Sequence, residues 1–130
     1  MMWDSDCGAL PVLNVECHVM GMITDRDICM ASATKNKSAS DIKVWETVSG
    51  KVYTCTLSDD IHTALDIMKR EKVRRLPVVD EDGMLQGIVA MNDFVLLAGE
   101  AKGAKAPAVS CEEVVRTMKA ISAHRALVGL

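Results

Sequence analysis

A pattern that occurs twice in one chain asks for the same local structure twice, so an internal repeat constrains the fold more than any single motif does. Shifted by 66 positions, this sequence matches itself without a gap. Leu10-Pro11-Val12 falls on Leu76-Pro77-Val78, Gly21 on Gly87, Ile23 on Val89, Asp27 on Asp93, and Met2 on Met68. The stretches ALPVLNVECHVMGMITDRDI and RLPVVDEDGMLQGIVAMNDF both read as two short apolar runs around a turn. In each, an acidic residue that opens a helix follows the second run.

The second copy parses as strand, helix, strand, strand, helix. Val52 to Thr56 is a β-branched and aromatic run, hence a strand. Ser58 or Asp59 is placed to cap a helix carrying Ile61, Ala64, Leu65 and Met68 at helical spacing. Arg75 to Val79 and Leu85 to Ala90 are strands joined by the Asp-Gly turn of Asp80 to Gly83. Asn92 or Asp93 then caps a helix through Leu97, ended by Gly99. The first copy starts late: at the 66-residue offset its first strand and most of its first helix have no counterpart. Leu10 to Leu13 and Met20 to Thr24 supply its hairpin, and Asp25 to Ala33 its helix. Ile42 to Val48 fits a short helix or a strand equally well.

These readings divide the chain into a partial first repeat (1–33), a linker (34–48), a second repeat (49–100), a flexible linker (101–109) and a C-terminal amphipathic helix (110–130). Ser110-Cys-Glu-Glu113 is a capping box for that last helix. Its apolar residues Val114, Val115, Met118, Ile121 and Leu127 need a surface to pack on, either the main body or a partner chain.

A net charge of −3 with a pI near 5.6 argues against a general nucleic-acid binder. Aromatic content of 3% leaves no stacking platform for single strands. There is no apolar stretch long enough to span a membrane, and the polar, acidic Met1 to Asp6 with no apolar run behind it leads us to expect no signal peptide. Five cysteines, an odd number without C-x-x-C spacing, suit reduced thiols and a cytoplasmic protein. His18, His62 and His124 share no metal-ligand spacing, so no metal is expected, and His62 is expected to be solvated. No Ser-His-Asp order, Walker loop or G-x-S-x-G is present, so no catalytic function is expected.

The best candidate for a site is the repeated strand-to-helix turn, Gly21 to Asp27 and Gly87 to Asp93. Free backbone N–H groups at a helix start attract anions. The Thr24 hydroxyl donates or accepts, and a carboxylate three residues on can accept two ribose hydroxyls. The simpler alternative is that Asp27 and Asp93 only cap their helices. Asp25 and Asp27 are expected to point apart rather than form a carboxylate pair.

The doubled pattern resembles a CBS-domain pair, or Bateman module, through LPV and GMITDRD in the first copy and VRRLPVVDEDGMLQGIVAMND in the second. The resemblance covers roughly Cys7 to Gly99. It implies an α/β (α+β) fold of two β-α-β-β-α repeats packed by pseudo-twofold symmetry. It also implies clefts that take AMP, ADP, ATP or S-adenosylmethionine as regulatory ligands, with no cofactor required. Carried over position by position, one cleft would use Thr24 and Asp27 with Val52, Tyr53, Arg74 and Arg75. A guanidinium suits phosphate because it donates several N–H bonds in one plane. The second cleft would be weaker: Asp93 is kept, but Ala90 replaces the hydroxyl residue and Gly8 and Ala9 replace the arginines. The expected function is a regulatory module that signals through an effector protein or an oligomer change, with a homodimer expected. The alternative is a structural dimerisation or interaction module without a ligand.

Overall fold

The structure is a computed structural model that describes residues 1–48, 50–99 and 106–123. His124, Leu127 and the first half of the 101–109 linker lie outside the described residues. The elements follow in the order β1 (Ala9–Leu13), β2 (Val19–Thr24), α1 (Asp25–Thr34), β3 (Cys55–Thr56), α2 (Ile61–Glu71), β4 (Arg75–Val79), β5 (Leu85–Ala90), α3 (Met91–Leu97) and α4 (Cys111–Ser122).

The repeat is carried into the backbone residue by residue. β4 and β5 begin and end 66 positions after β1 and β2, and α3 starts 66 positions after α1. The bonds that join strand to helix repeat as well. Gly8 O accepts from Asp25 N at 3.0 Å, and Arg74 O accepts from Met91 N at 2.9 Å.

The chain divides into two units, Met1–Val52 with Asp82–Leu85, and Tyr53–Glu81 with the residues from Gln86 onward. In the first, β1 and β2 form an antiparallel pair with Leu10 opposite Ile23 and Val12 opposite Gly21. Asn14 closes the turn: its side-chain oxygen accepts from Glu16 N and His18 N at 3.0 and 2.9 Å. The segment left open between helix and strand, Ile42 to Val48, forms no strand and holds one short 3-10 helix. It follows one 3-10 turn at Ala39–Asp41 and contains a second at Val44–Glu46.

Val48 explains a glycine of the repeat. A Cβ on Gly21 would occupy the space of Val48 Cγ1, whereas a Cβ on Gly87 meets nothing within 4 Å. Neither glycine has a left-handed backbone. Gly21→Ala should therefore destabilise by about 1–3 kcal/mol through overpacking. Gly87→Ala should be neutral or stabilise by up to about 1 kcal/mol, by restricting the unfolded chain. Thermal melts of the two variants check the difference in sign.

In the second unit, β3 pairs parallel with β4, with Cys55 opposite Val78, and β4 neighbours β5. The Asp-Gly turn between them has Gly83 at φ +80°, the left-handed conformation that favours glycine. Two sequence-based boundaries shift. The N-cap of α2 is Asp60, whose carboxylate accepts from Thr63 N at 2.7 Å, not Ser58 or Asp59. The first strand shrinks from Val52–Thr56 to Cys55–Thr56.

The core of this unit is aliphatic apart from Phe94: Cys55, Ala64, Leu65, Met68, Leu76, Met91, Val109 and Val114. α4 packs on α2 and α3 of the same unit, which buries Val114 but leaves Val115 exposed. Val109 before its cap and Val114 on its first turn are both buried, a hydrophobic staple around Ser110. Burial pushes the Cys55 thiol above its ordinary pKa, and Cys17, Cys29 and Cys111 are exposed. A thiol reagent at neutral pH should modify those three quickly and reach Cys55 only on unfolding, which time-resolved mass spectrometry reads directly.

Candidate functional site

The turn from β2 into α1 is built by a reciprocal cap. Thr24, the N-cap, accepts from Asp27 N on its hydroxyl at 3.1 Å, and Asp27 Oδ2 accepts from Thr24 N at 2.8 Å. Capping is thus a real role of both residues. It does not exhaust them, because a carboxylate offers about four acceptor positions and a threonine hydroxyl keeps its proton to donate. Asp25 turns elsewhere. Its Oδ1 accepts from Arg26 N at 2.8 Å, and its carboxylate lies against Gly8, where a Cβ would meet Oδ2 at 3.0 Å. Asp25 and Asp27 therefore do not converge as an acid pair.

Beside this cap is an apolar cleft of about 190 Å³ lined by Ile23, Ile28, Ala31, Ile42, Val44 and Thr47, among others. Ile23 and Ile28 flank the capping box as a staple would. The cleft is smaller than the roughly 300–1,000 Å³ that encloses a whole drug-sized ligand. It can take one flat apolar part of a ligand, not all of it. Its far wall, Ile42 to Thr47, was not a site candidate in the sequence, because no periodicity marks a pair of 3-10 turns.

The equivalent turn in the second unit keeps only half of the cap. Asp93 Oδ2 accepts from Ala90 N at 2.7 Å, but Ala90 has no hydroxyl to return the bond. Ala90 is the N-cap and Asp93 the third helical residue, which corrects the expectation that Asn92 or Asp93 caps α3. Asp93 is exposed where Asp27 is half-buried.

The remaining candidates fall by unit. Thr24, Asp27, Gly8, Ala9 and Val52 belong to the first, and Tyr53, Arg74, Arg75, Ala90 and Asp93 to the second. Gly8 and Arg74 occupy equivalent positions, the carbonyl of each accepting from the start of the next helix, so the two copies differ there in side chain and not in backbone. Ala9 is buried. Arg74 and Arg75 are exposed, and among the described residues neither is held in an ion pair. Tyr53 is half-buried, and its hydroxyl donates to the Glu71 carboxylate, which raises its pKa above the ordinary value. Arg70 Nε holds the same carboxylate at 2.7 Å. Sequence reasoning missed this chain of contacts, since Tyr53 and Glu71 lie at opposite ends of the β3-α2 segment.

A family model described as the CBS domain matches residues 39–99. The CBS domain-containing protein YhcV of Bacillus subtilis is 29% identical over 88% of this chain and 81% of its own length. The chain belongs to the CBS-domain family. A crystal structure of Hypoxic Response Protein I, with two coordinated zinc ions, matches with a TM-score of 0.67 and 30% identity over 75% of this chain and 78% of that one. A CBS domain pair solved with 5′-methylthioadenosine and S-adenosyl-L-methionine matches with a TM-score of 0.62 and 24% identity, over 74% and 73% of the two chains. Other relatives are longer: this CBS chain spans 27% of a 36% identical protein of Methanocaldococcus jannaschii. Among the described residues, no group of three or more His, Cys, Asp or Glu side chains is arranged to hold a metal ion. No described helix is long and apolar enough to cross a membrane.

Proposed function

We propose that this chain is a regulatory, non-catalytic module that binds an adenosyl compound (AMP, ADP, ATP or S-adenosylmethionine) and passes its presence to an effector protein or to a change of oligomer, with a homodimer as the working assembly. The observation that carries this reading is the Thr24–Asp27 cap with an apolar cleft beside it. A ribose presents paired hydroxyls, which suit the acceptor positions Asp27 retains, and a base suits a small apolar cleft. Arg74 and Arg75 are assigned to the phosphates by family position, and a guanidinium suits that role because it donates several N–H bonds in one plane. Val52 and Tyr53 complete the set by family position. The pair solved with S-adenosyl-L-methionine supports the ligand class through its fold alone.

A thermal-shift screen with AMP, ADP, ATP and S-adenosylmethionine tests this. A ligand that binds the folded state raises the melting temperature by mass action. Failure of all four at millimolar concentration would leave the second reading, an interaction module without a ligand. The exposed apolar side chains of α3, Val95, Leu96 and Leu97, favour that reading.

A further inference from the structure

Helix α4 lies against α2 and is fastened to it at both ends by polar contacts. Near its start, Glu113 Oε1 lies 2.7 Å from His62 Nδ1. At its end, Lys72 Nζ donates to the carbonyl of Ala123 at 2.8 Å. Between them Val114 and Thr117 are buried, and the Thr117 hydroxyl donates to Glu113 O at 2.9 Å. His62 is exposed, as expected from the sequence, and also contacts α4. The S-x-x-E pattern predicts that Glu113 reaches back to the Ser110 backbone. Ser110 does cap Glu113 N, but the Glu113 carboxylate is turned toward α2 instead.

The two fastenings differ in kind. Lys72 places a cation on the last carbonyls of α4, where the helix dipole favours it. His62 is the one that contains a group titrating near neutral pH. We propose that the His62–Glu113 contact is a pH-sensitive clasp that sets how firmly α4 is held on α2. The charged groups acting on His62 are Glu113 from α4 and Asp60 and Asp66 from its own helix, all negative. Glu112, the other acid on the first turn of α4, is taken up by Arg116 at 2.7 Å. The Glu113 carboxylate first, with Asp60 and Asp66, raises the His62 pKa above 6.5. A raised folded-state pKa means the contribution is full below the unfolded value and is lost as pH climbs through the folded one. A neutral imidazole can still donate from Nδ1, but without the assistance of charge the bond is weaker.

The test combines an NMR titration of the His62 ring with amide exchange of α4 at a series of pH values, corrected for intrinsic rates. The wild-type ring should titrate above 6.5. Protection of α4 should fall by about two- to fivefold across that titration, the scale of an exposed ion pair, while β4 and β5 stay unchanged. Glu113→Gln should lower the His62 midpoint and flatten the α4 profile. Lys72→Met should lower α4 protection equally at every pH, because it removes the other fastening. The proposal is overturned if Glu113→Gln leaves the His62 midpoint where it was. It is also overturned if α4 in Glu113→Gln keeps the wild-type pH dependence.

Discussion

Asp27→Ala should abolish the rise in melting temperature produced by the adenosyl ligand, and Asp93→Ala should leave it nearly intact. At a ligand concentration of 100 Kd the shift to be lost corresponds to about 2.7 kcal/mol, several degrees for a chain of this size. Both substitutions take an acceptor from the N-cap backbone N–H, at Thr24 in one case and Ala90 in the other. Their effects on the unliganded protein should therefore be alike, each on the scale of a lost cap, about 0.5–2 kcal/mol. That similarity makes Asp93→Ala the proper control: the two variants separate only when ligand is present. Asymmetry is expected because Thr24 contributes a hydroxyl that Ala90 lacks, and because the apolar cleft lies beside Thr24. Differential scanning fluorimetry with and without ligand reads both terms. Equal loss of the shift in both variants would contradict the one-site account.

Leu65→Ala should destabilise the second unit severely even without ligand. Leu65 is 1% exposed at the centre of that unit, with Met68, Leu76 and Phe94 as fellow members of its core. Deleting a buried leucine side chain costs about 2–5 kcal/mol, from lost transfer energy plus the cavity left behind. That is a large part of the roughly 5–15 kcal/mol that holds a domain together. Leu96 on α3, 85% exposed, is the matched control, and Leu96→Ala should change stability by no more than about 0.5 kcal/mol. Urea unfolding distinguishes them: a midpoint well below wild type for Leu65→Ala, and an unchanged midpoint for Leu96→Ala.

Much of this fold was legible because the repeat is written in side-chain periodicity. The 66-residue offset placed β1, β2, β4 and β5 to within a residue, since alternation and the Asp-Gly turn are local signals. What misled was capping. Asn92 and Asp93 are both good N-cap residues, yet α3 starts earlier with Ala90 as its cap, because Asp93 works from the third helical position. The same ambiguity of reach hid the His62–Glu113 contact. A glutamate three residues after a serine predicts a local bond, and only packing of α4 on α2 offers it a histidine. The 3-10 turns of Ala39–Asp41 and Val44–Glu46 were illegible for a different reason. Three-residue helices have no period to detect, so the cleft wall they form beside Thr24 could be found only in three dimensions.

The candidate site was legible as chemistry, not as geometry. Thr24 and Asp27 could be singled out, and so could the alternative that they only cap. The structure shows that the cap is formed and that acceptor capacity remains. Tyr53 was singled out by position alone, and its tie to Glu71 depends on where α2 ends.

Isothermal titration of the intact chain, with whichever adenosyl compound stabilises it, tests the central claim most directly. The account predicts one ligand per chain, with binding lost in Asp27→Ala and retained in Asp93→Ala. Two equivalent ligands per chain, or binding that survives Asp27→Ala, would contradict it.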